Sequence, residues 1–206
     1  KYQWLARPLA LYGTVCLADG TVKEIAMGDG PDDPVFTITD LLPHLAKDHE
    51  KKTVEEGFPG ENLNIIAATI PAPGTGTKRV EAHIITILKE RFSIGPDDFV
   101  SAEIQAVPAG PARDLGIDRS LIIGYGQDDR VSAYTALTAL LETEKPSRTC
   151  LCLLMDQEEI GSQGSTAAAS RFFEYLAQEL LEKTGGTVAD FPSAMMRSQA
   201  ISADVT

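Results

Sequence analysis

The spacing of apolar and polar residues changes character partway along the chain. In the first part, residues 9–17 and 22–27 alternate with a period of two on either side of Ala18-Asp19-Gly20-Thr21. An Asp-Gly turn between two such runs predicts a β-hairpin. Gly28-Asp29-Gly30-Pro31-Asp32-Asp33-Pro34 is loop by composition. Thr39-Asp40 can cap a short helix running through Leu41, Leu42, Leu45 and Ala46 toward His49. Residues 63–70 read as a strand ended by Pro71-Ala72-Pro73-Gly74. Residues 80–92 carry Val80, Ile84, Ile87 and Leu88 at helical spacing, and 99–107 alternate again as a strand.

Around Pro108-Ala109-Gly110-Pro111 the pattern shifts, which marks the region of a domain boundary. Beyond it the order is strand 121–126, helix 131–144, strand 149–154, helix 165–183 closed by Gly185-Gly186, and strand 199–203. Such alternation predicts an α/β fold with a parallel sheet. The run Thr149-Cys150-Leu151-Cys152-Leu153-Leu154 is almost purely apolar, as expected for a strand covered on both faces.

Composition narrows the classes of function. Apolar residues make up 43% and charged residues 23% of 206 positions, ordinary for a globular protein. A net charge of −12 argues against nucleic acid and against an anionic membrane surface, since both call for clustered Lys and Arg. No apolar run approaches the ~20 residues that span a bilayer. Cys150 and Cys152 share the predicted buried strand and, with Cys16, are expected as reduced thiols, which fits a cytoplasmic protein. The chain opens at Lys1 inside an apolar pattern and stops just after its last predicted strand, so it reads as a fragment of something longer.

Three acidic positions fall where an α/β sheet binds ligands, at the carboxyl ends of strands. Asp128 and Asp129 precede a helix, Glu158 and Glu159 follow the apolar strand, and Asp204 ends the last one. Clustered carboxylates are costly to desolvate without cations, and hydrolytic sites with two metals ~3.5–4 Å apart are built from such oxygens. One carboxylate must stay off the metals to carry the water proton, and adjacent Glu158 and Glu159 suit that division. The histidines a zinc hydrolase also needs are not beside these acids, because His44, His49 and His83 all lie in the first part.

Plainer readings exist for each feature alone. Asp-Asp-Arg suits a helix N-terminus, Glu-Glu before Gly suits a solvated loop, and only the joint placement points to a site. Gly161-Ser162-Gln163-Gly164-Ser165 lacks the Lys and spacing of a phosphate cradle. Two other functions compete with a metallopeptidase: a Mg²⁺- or Mn²⁺-dependent phosphoesterase using the same carboxylates, and a non-catalytic assembly module.

Several segments together resemble the aspartyl aminopeptidase family, the di-zinc aminopeptidases that assemble as tetrahedral dodecamers. They are Gln127-Asp128-Asp129-Arg130-Val131-Ser132-Ala133-Tyr134, Asp156-Gln157-Glu158-Glu159-Ile160-Gly161-Ser162 and Ala200-Ile201-Ser202-Ala203-Asp204-Val205. Upstream, Arg7-Pro8-Leu9-Ala10-Leu11-Tyr12-Gly13-Thr14-Val15 and Leu42-Pro43-His44-Leu45-Ala46 are similar to that family's lid segments. The resemblance implies that Asp128 bridges two zinc ions, Glu159 binds one, Asp204 binds the other, and Glu158 is the general base. Mn²⁺ or Co²⁺ would be able to substitute. It implies a β-rich lid or dimerisation domain at 8–115, inserted into a parallel-sheet catalytic domain formed by 1–7 and 116–206. It also implies peptide substrates, with acidic N-terminal residues suggested by the family name, and a homo-oligomer. Asp129 stands where many members have Asn, and Asp48, beside His49, stands where the lid places a histidine. A His-containing motif would precede Lys1 and a last His ligand would follow Thr206, leaving three of the five expected ligands here. An active parent protein, and little or no activity from this segment alone, are expected.

Overall fold

An Asp-Gly turn organises the first strands of the chain. The Leu17 N–H donates to the Thr21 carbonyl at 2.8 Å, and the Asp19 carboxylate accepts the Thr21 N–H at 2.9 Å. The turn joins Leu9–Cys16 (β1) to Val22–Met27 (β2) as an antiparallel pair in which Gly13 faces Ile25. The computed structural model describes residues 2–42, 44–49 and 51–204. They divide into two compact units, Lys1–Tyr125 and Gly126–Thr206.

In the first unit the chain continues through a short helix, Val54–Gly57 (α1), and a long one, Arg79–Phe92 (α2), to Glu103–Pro108 (β3). β3 pairs antiparallel with the other edge of β1, so the sheet order is β2-β1-β3. Glycine at position 13 permits this: a Cβ there would stand 2.7 Å from the Cα of Ile104 and collide with the Glu103 carbonyl. Alternate residues of β1 face inward, where Leu9 packs with Met27, Phe36 and Ile38, and Val15 packs with Ile25 and Ile94. Leu9 and Phe36 also exchange backbone hydrogen bonds at 2.8 and 2.9 Å. Cys16, on the outward set, is exposed.

Carboxylates tie the loop after β2 to the rest of the unit. Asp29 accepts from the Gly110 N–H at 2.7 Å and from the Tyr12 hydroxyl. Asp33 accepts from Arg91 at 2.6 Å and from the N–H groups of Gly28 and Gly30 at 3.2 and 3.3 Å. The Arg91 hydrogen bond, then the Gly28 N–H, hold the Asp33 carboxyl below its ordinary range. A depressed folded value means that this stabilisation is present above the unfolded carboxylate value of about 3.9 and is lost as pH falls through the lower, folded one. Asp33→Asn is therefore expected to lower the urea midpoint near neutral pH. Its deficit against the wild type should shrink as the pH is taken below about 3.9. A deficit independent of pH would show that the Asp33 charge contributes nothing.

The first unit closes with a hairpin, Arg113–Leu115 (β4) against Leu121–Ile123 (β5), antiparallel. The second unit holds Gln127–Leu141 (α3), Phe172–Lys183 (α4) and Phe191–Met196 (α5). α4 ends as its sequence predicts, with the Gly186 N–H donating to the Leu181 carbonyl at 2.8 Å and Gly185 in the left-handed region.

Several predicted elements are not formed. Residues 39–49 make only turns, in which the Leu45 and Ala46 N–H groups both donate to the Leu42 carbonyl. Pro43, whose ring disfavours a helix interior, lies outside the described residues, as does Val205. Residues 63–70 form no strand; the Ile66 N–H donates to the Thr37 carbonyl at 2.9 Å, and Leu63 and Ile65 pack against the Leu9 cluster. The strand expected at 99–107 starts later, because Pro96–Ser101 winds into a 3₁₀ turn. The segment 121–126 is a strand only to Ile123, and its partner is antiparallel. Helix 165–183 begins at Phe172.

The largest departures lie in the second unit. Residues 149–154 and 199–203 form no strand and have no ladder partner among the described residues. Leu151, Leu153 and Leu154 are 50%, 42% and 61% exposed, so Cys150 and Cys152 are not core thiols here. An apolar run needs a neighbouring strand to bury it, and none is described. Among the described residues of this unit only Ala167 and Ala177 are buried hydrophobics.

Candidate metal centre

The residues leading into α3 keep Asp128 out of the helix proper. Gly126 is left-handed at φ 78, Asp128 is extended at φ −86, ψ 113, and Asp129 is also non-helical. The peptide between Asp128 and Asp129 is cis. The Asp128 carboxylate is thus presented ahead of the first regular turn.

Glu158 and Glu159 sit on a single 3₁₀ turn, Glu158–Ile160, bracketed by two left-handed residues, Gln157 at φ 60 and Gly161 at φ 89. The Gln157 N–H donates to the Asp156 carboxylate at 2.8 Å. Farther round, the Ala169 N–H donates to the Ser162 carbonyl at 3.2 Å and folds the following loop back on itself. The apolar run 151–154 leads straight into this turn.

Asp128, Glu158 and Asp204 come from three separate stretches, and the charges of all three act on Glu159. The negative charge of Asp128, then that of Glu158, push the Glu159 carboxyl up from its ordinary value. Desolvation, a side-chain hydrogen bond with Asp128 and the Asp204 charge act in the same direction. All four acids are exposed. Among the described residues, no three of these or other Asp, Glu, His and Cys side chains close into a cage able to hold an ion. The acids act on one another electrostatically without enclosing a site for an ion.

The histidines lie elsewhere, in the first unit. His49 Nδ1 is 3.0 Å from the Gly57 carbonyl, and His83 Nδ1 is 2.9 Å from the Ile70 carbonyl. His44 and Asp48 are exposed. The chemistry of the gathered acids fits a divalent cation: carboxylate oxygens are ligands for zinc, and their mutual repulsion is what a cation relieves. Gln157, which the sequence gives no reason to single out, shapes the turn from one position upstream.

Carboxylates grouped near one glutamate are the residue types with which metallohydrolases bind cations. The profile of the aminopeptidase I zinc metalloprotease family (M18) matches residues 1–206, and the chain belongs to that family. It is 47% identical over 208 residues to a Thermotoga neapolitana protein named "Probable M18 family aminopeptidase 1", covering 100% of this chain and 45% of that one. An aspartyl aminopeptidase of Caenorhabditis elegans is 24% identical over 220 residues, 98% of this chain and 46% of its own length. The crystal structure of an M18 aminopeptidase from Thermotoga maritima superposes with a TM-score of 0.82 at 48% identity, covering 93% of this chain and 42% of that one. The chain spans about half the length of the curated relatives it matches. The α/β content and the resemblance to aspartyl aminopeptidases agree with these relatives. No helix among the described residues is long and apolar enough to cross a membrane.

Proposed function

We propose that this chain is part of a cytoplasmic, oligomeric aminopeptidase that removes N-terminal residues from peptides at a two-zinc site. The observation that carries the reading is the action of the Asp128, Glu158 and Asp204 charges on Glu159. In this reading Asp128, Glu159 and Asp204 would be the residues of this chain that hold the two ions. The remaining ligands and the neighbours of a parallel sheet come from segments outside this chain, while residues 8–115 form the lid. Bound zinc supplies Lewis acidity toward the scissile carbonyl and an activated water.

The chain's own contribution is proton transfer and placement. Glu158, beside Glu159 on the same turn, takes the proton of the attacking water on its carboxylate and delivers it to the leaving amine. Being adjacent in sequence, the two glutamates leave a tight turn in different directions. One can therefore bind metal while the other faces the water. The phosphoesterase alternative finds no support among the relatives, whose names are those of aminopeptidases.

The test is metal analysis of the full-length protein with a panel of aminoacyl-nitroanilides. Two zinc ions per chain are expected, with turnover abolished by a chelator and restored by Zn²⁺. Turnover that survives complete removal of metal would overturn the reading. Sizing the same preparation tests the dodecamer.

A further inference from the structure

The loop carrying the two glutamates is clasped from within. Gln157 is left-handed at φ 60, a region that residues other than Gly, Asn and Asp seldom occupy. Its carbonyl accepts the Ser162 N–H at 2.9 Å and the Ile160 N–H at 3.4 Å. Its half-buried side chain lies over Gly164. A methyl group placed on Gly164 would stand 2.5 Å from Gln157 Oε1 and 3.4 Å from its Cδ, with the Cβ of Ala167 3.7 Å away. Ala167 is itself buried. Gly164 has φ +137, which glycine alone adopts readily. Glu158 and Glu159 follow Gln157 directly, so rotation at 157 swings both carboxylates together.

We propose that Gln157 is the positioning residue of the acidic turn: its carboxamide seats on the bare Cα of Gly164 and fixes the directions in which Glu158 and Glu159 face. Gln157 is not assigned contact with metal or substrate and acts through its two neighbours. The inference rests on the roles proposed above for those neighbours, and it can fail separately from them.

The experiment uses the full-length protein and three single variants. Gly164→Ala puts a methyl group where the carboxamide lies, and Gln157→Ala removes the carboxamide. Gln157→Asn keeps a residue tolerant of left-handed backbone but too short to reach. The two Gln157 variants are each expected to lower kcat and zinc affinity by about 10–100-fold with KM and thermal midpoint unchanged. Gly164→Ala is expected to lower kcat and zinc affinity equally while also losing thermal midpoint to backbone strain at φ +137. The Gln157→Ala/Gly164→Ala double variant should be no worse than the poorer single, because one clasp can be lost only once. Zinc affinity, read by chelator competition, reports the direction of Glu159 without reference to turnover. Wild-type zinc affinity and kcat in either Gln157→Ala or Gly164→Ala would overturn the clasp. So would losses that multiply in the double variant, or a lowered thermal midpoint with zinc affinity intact. Reduced zinc affinity in the clasp variants, alongside a Glu158→Gln protein that still turns over, would retain the clasp and refute the general base.

Discussion

Glu158→Gln in the full-length, zinc-loaded protein is expected to lower kcat by about 10²–10⁴ while leaving zinc content and thermal midpoint unchanged. That range corresponds to roughly 2.7–5.4 kcal/mol of lost transition-state stabilisation. The substitution is nearly isosteric, so it removes the ability to accept and return a proton without emptying space. It also removes one of the negative charges that push up Glu159, so the metal-binding set should not suffer. Glu159→Gln gives the contrasting signature, because a ligand is lost: zinc content falls together with kcat. Single-turnover kinetics and metal analysis on both proteins decide the matter. If Glu158→Gln loses zinc, or keeps its turnover, the division of labour between the two glutamates is wrong.

Leu9→Ala is expected to cost about 2–5 kcal/mol of stability. Leu9 is fully buried, belongs to the central strand of the β2-β1-β3 sheet, and packs against Met27, Phe36 and Ile38. Its backbone is pinned by the exchange with Phe36, so the strand cannot shift to fill the gap, and the cavity persists. Urea unfolding followed through Trp4 would measure the loss. Trp4 is the chain's one tryptophan, and its indole N–H donates to the Ala106 carbonyl of β3 at 2.7 Å. A loss under about 1 kcal/mol would mean that the site collapses and that the core does not depend on this strand.

What could be read from the residues divides along physical lines. The hairpin at 9–27 was legible because its signals are local: a period of two and an Asp-Gly turn fix both pairing and register. α2 was legible for the same reason, its apolar stripe repeating within its own length. The run 149–154 was different. Apolarity states that a segment seeks burial but does not name the partner, and without one the leucines stand in solvent. The strand at 63–70 failed likewise, and so did the helix at 39–49, whose sequence contains a proline, a residue that helix interiors disfavour. The acids around Glu159 stand out in the sequence because each follows an apolar run, a long-range clue carried in local sequence. The Gln157–Gly164 contact had no such signal, since a left-handed glutamine contradicts its own propensity and a glycine in a loop is read as punctuation.

The bare run at 151–154 has a bearing on how the whole protein comes into being. It leads directly into the turn that holds Glu158 and Glu159, so whichever strand comes to lie beside it also stiffens the base of those carboxylates. On the reading proposed above, covering the run and steadying the two carboxylates would be one event. Left uncovered, the run is a hydrocarbon strip of the kind that invites misassembly.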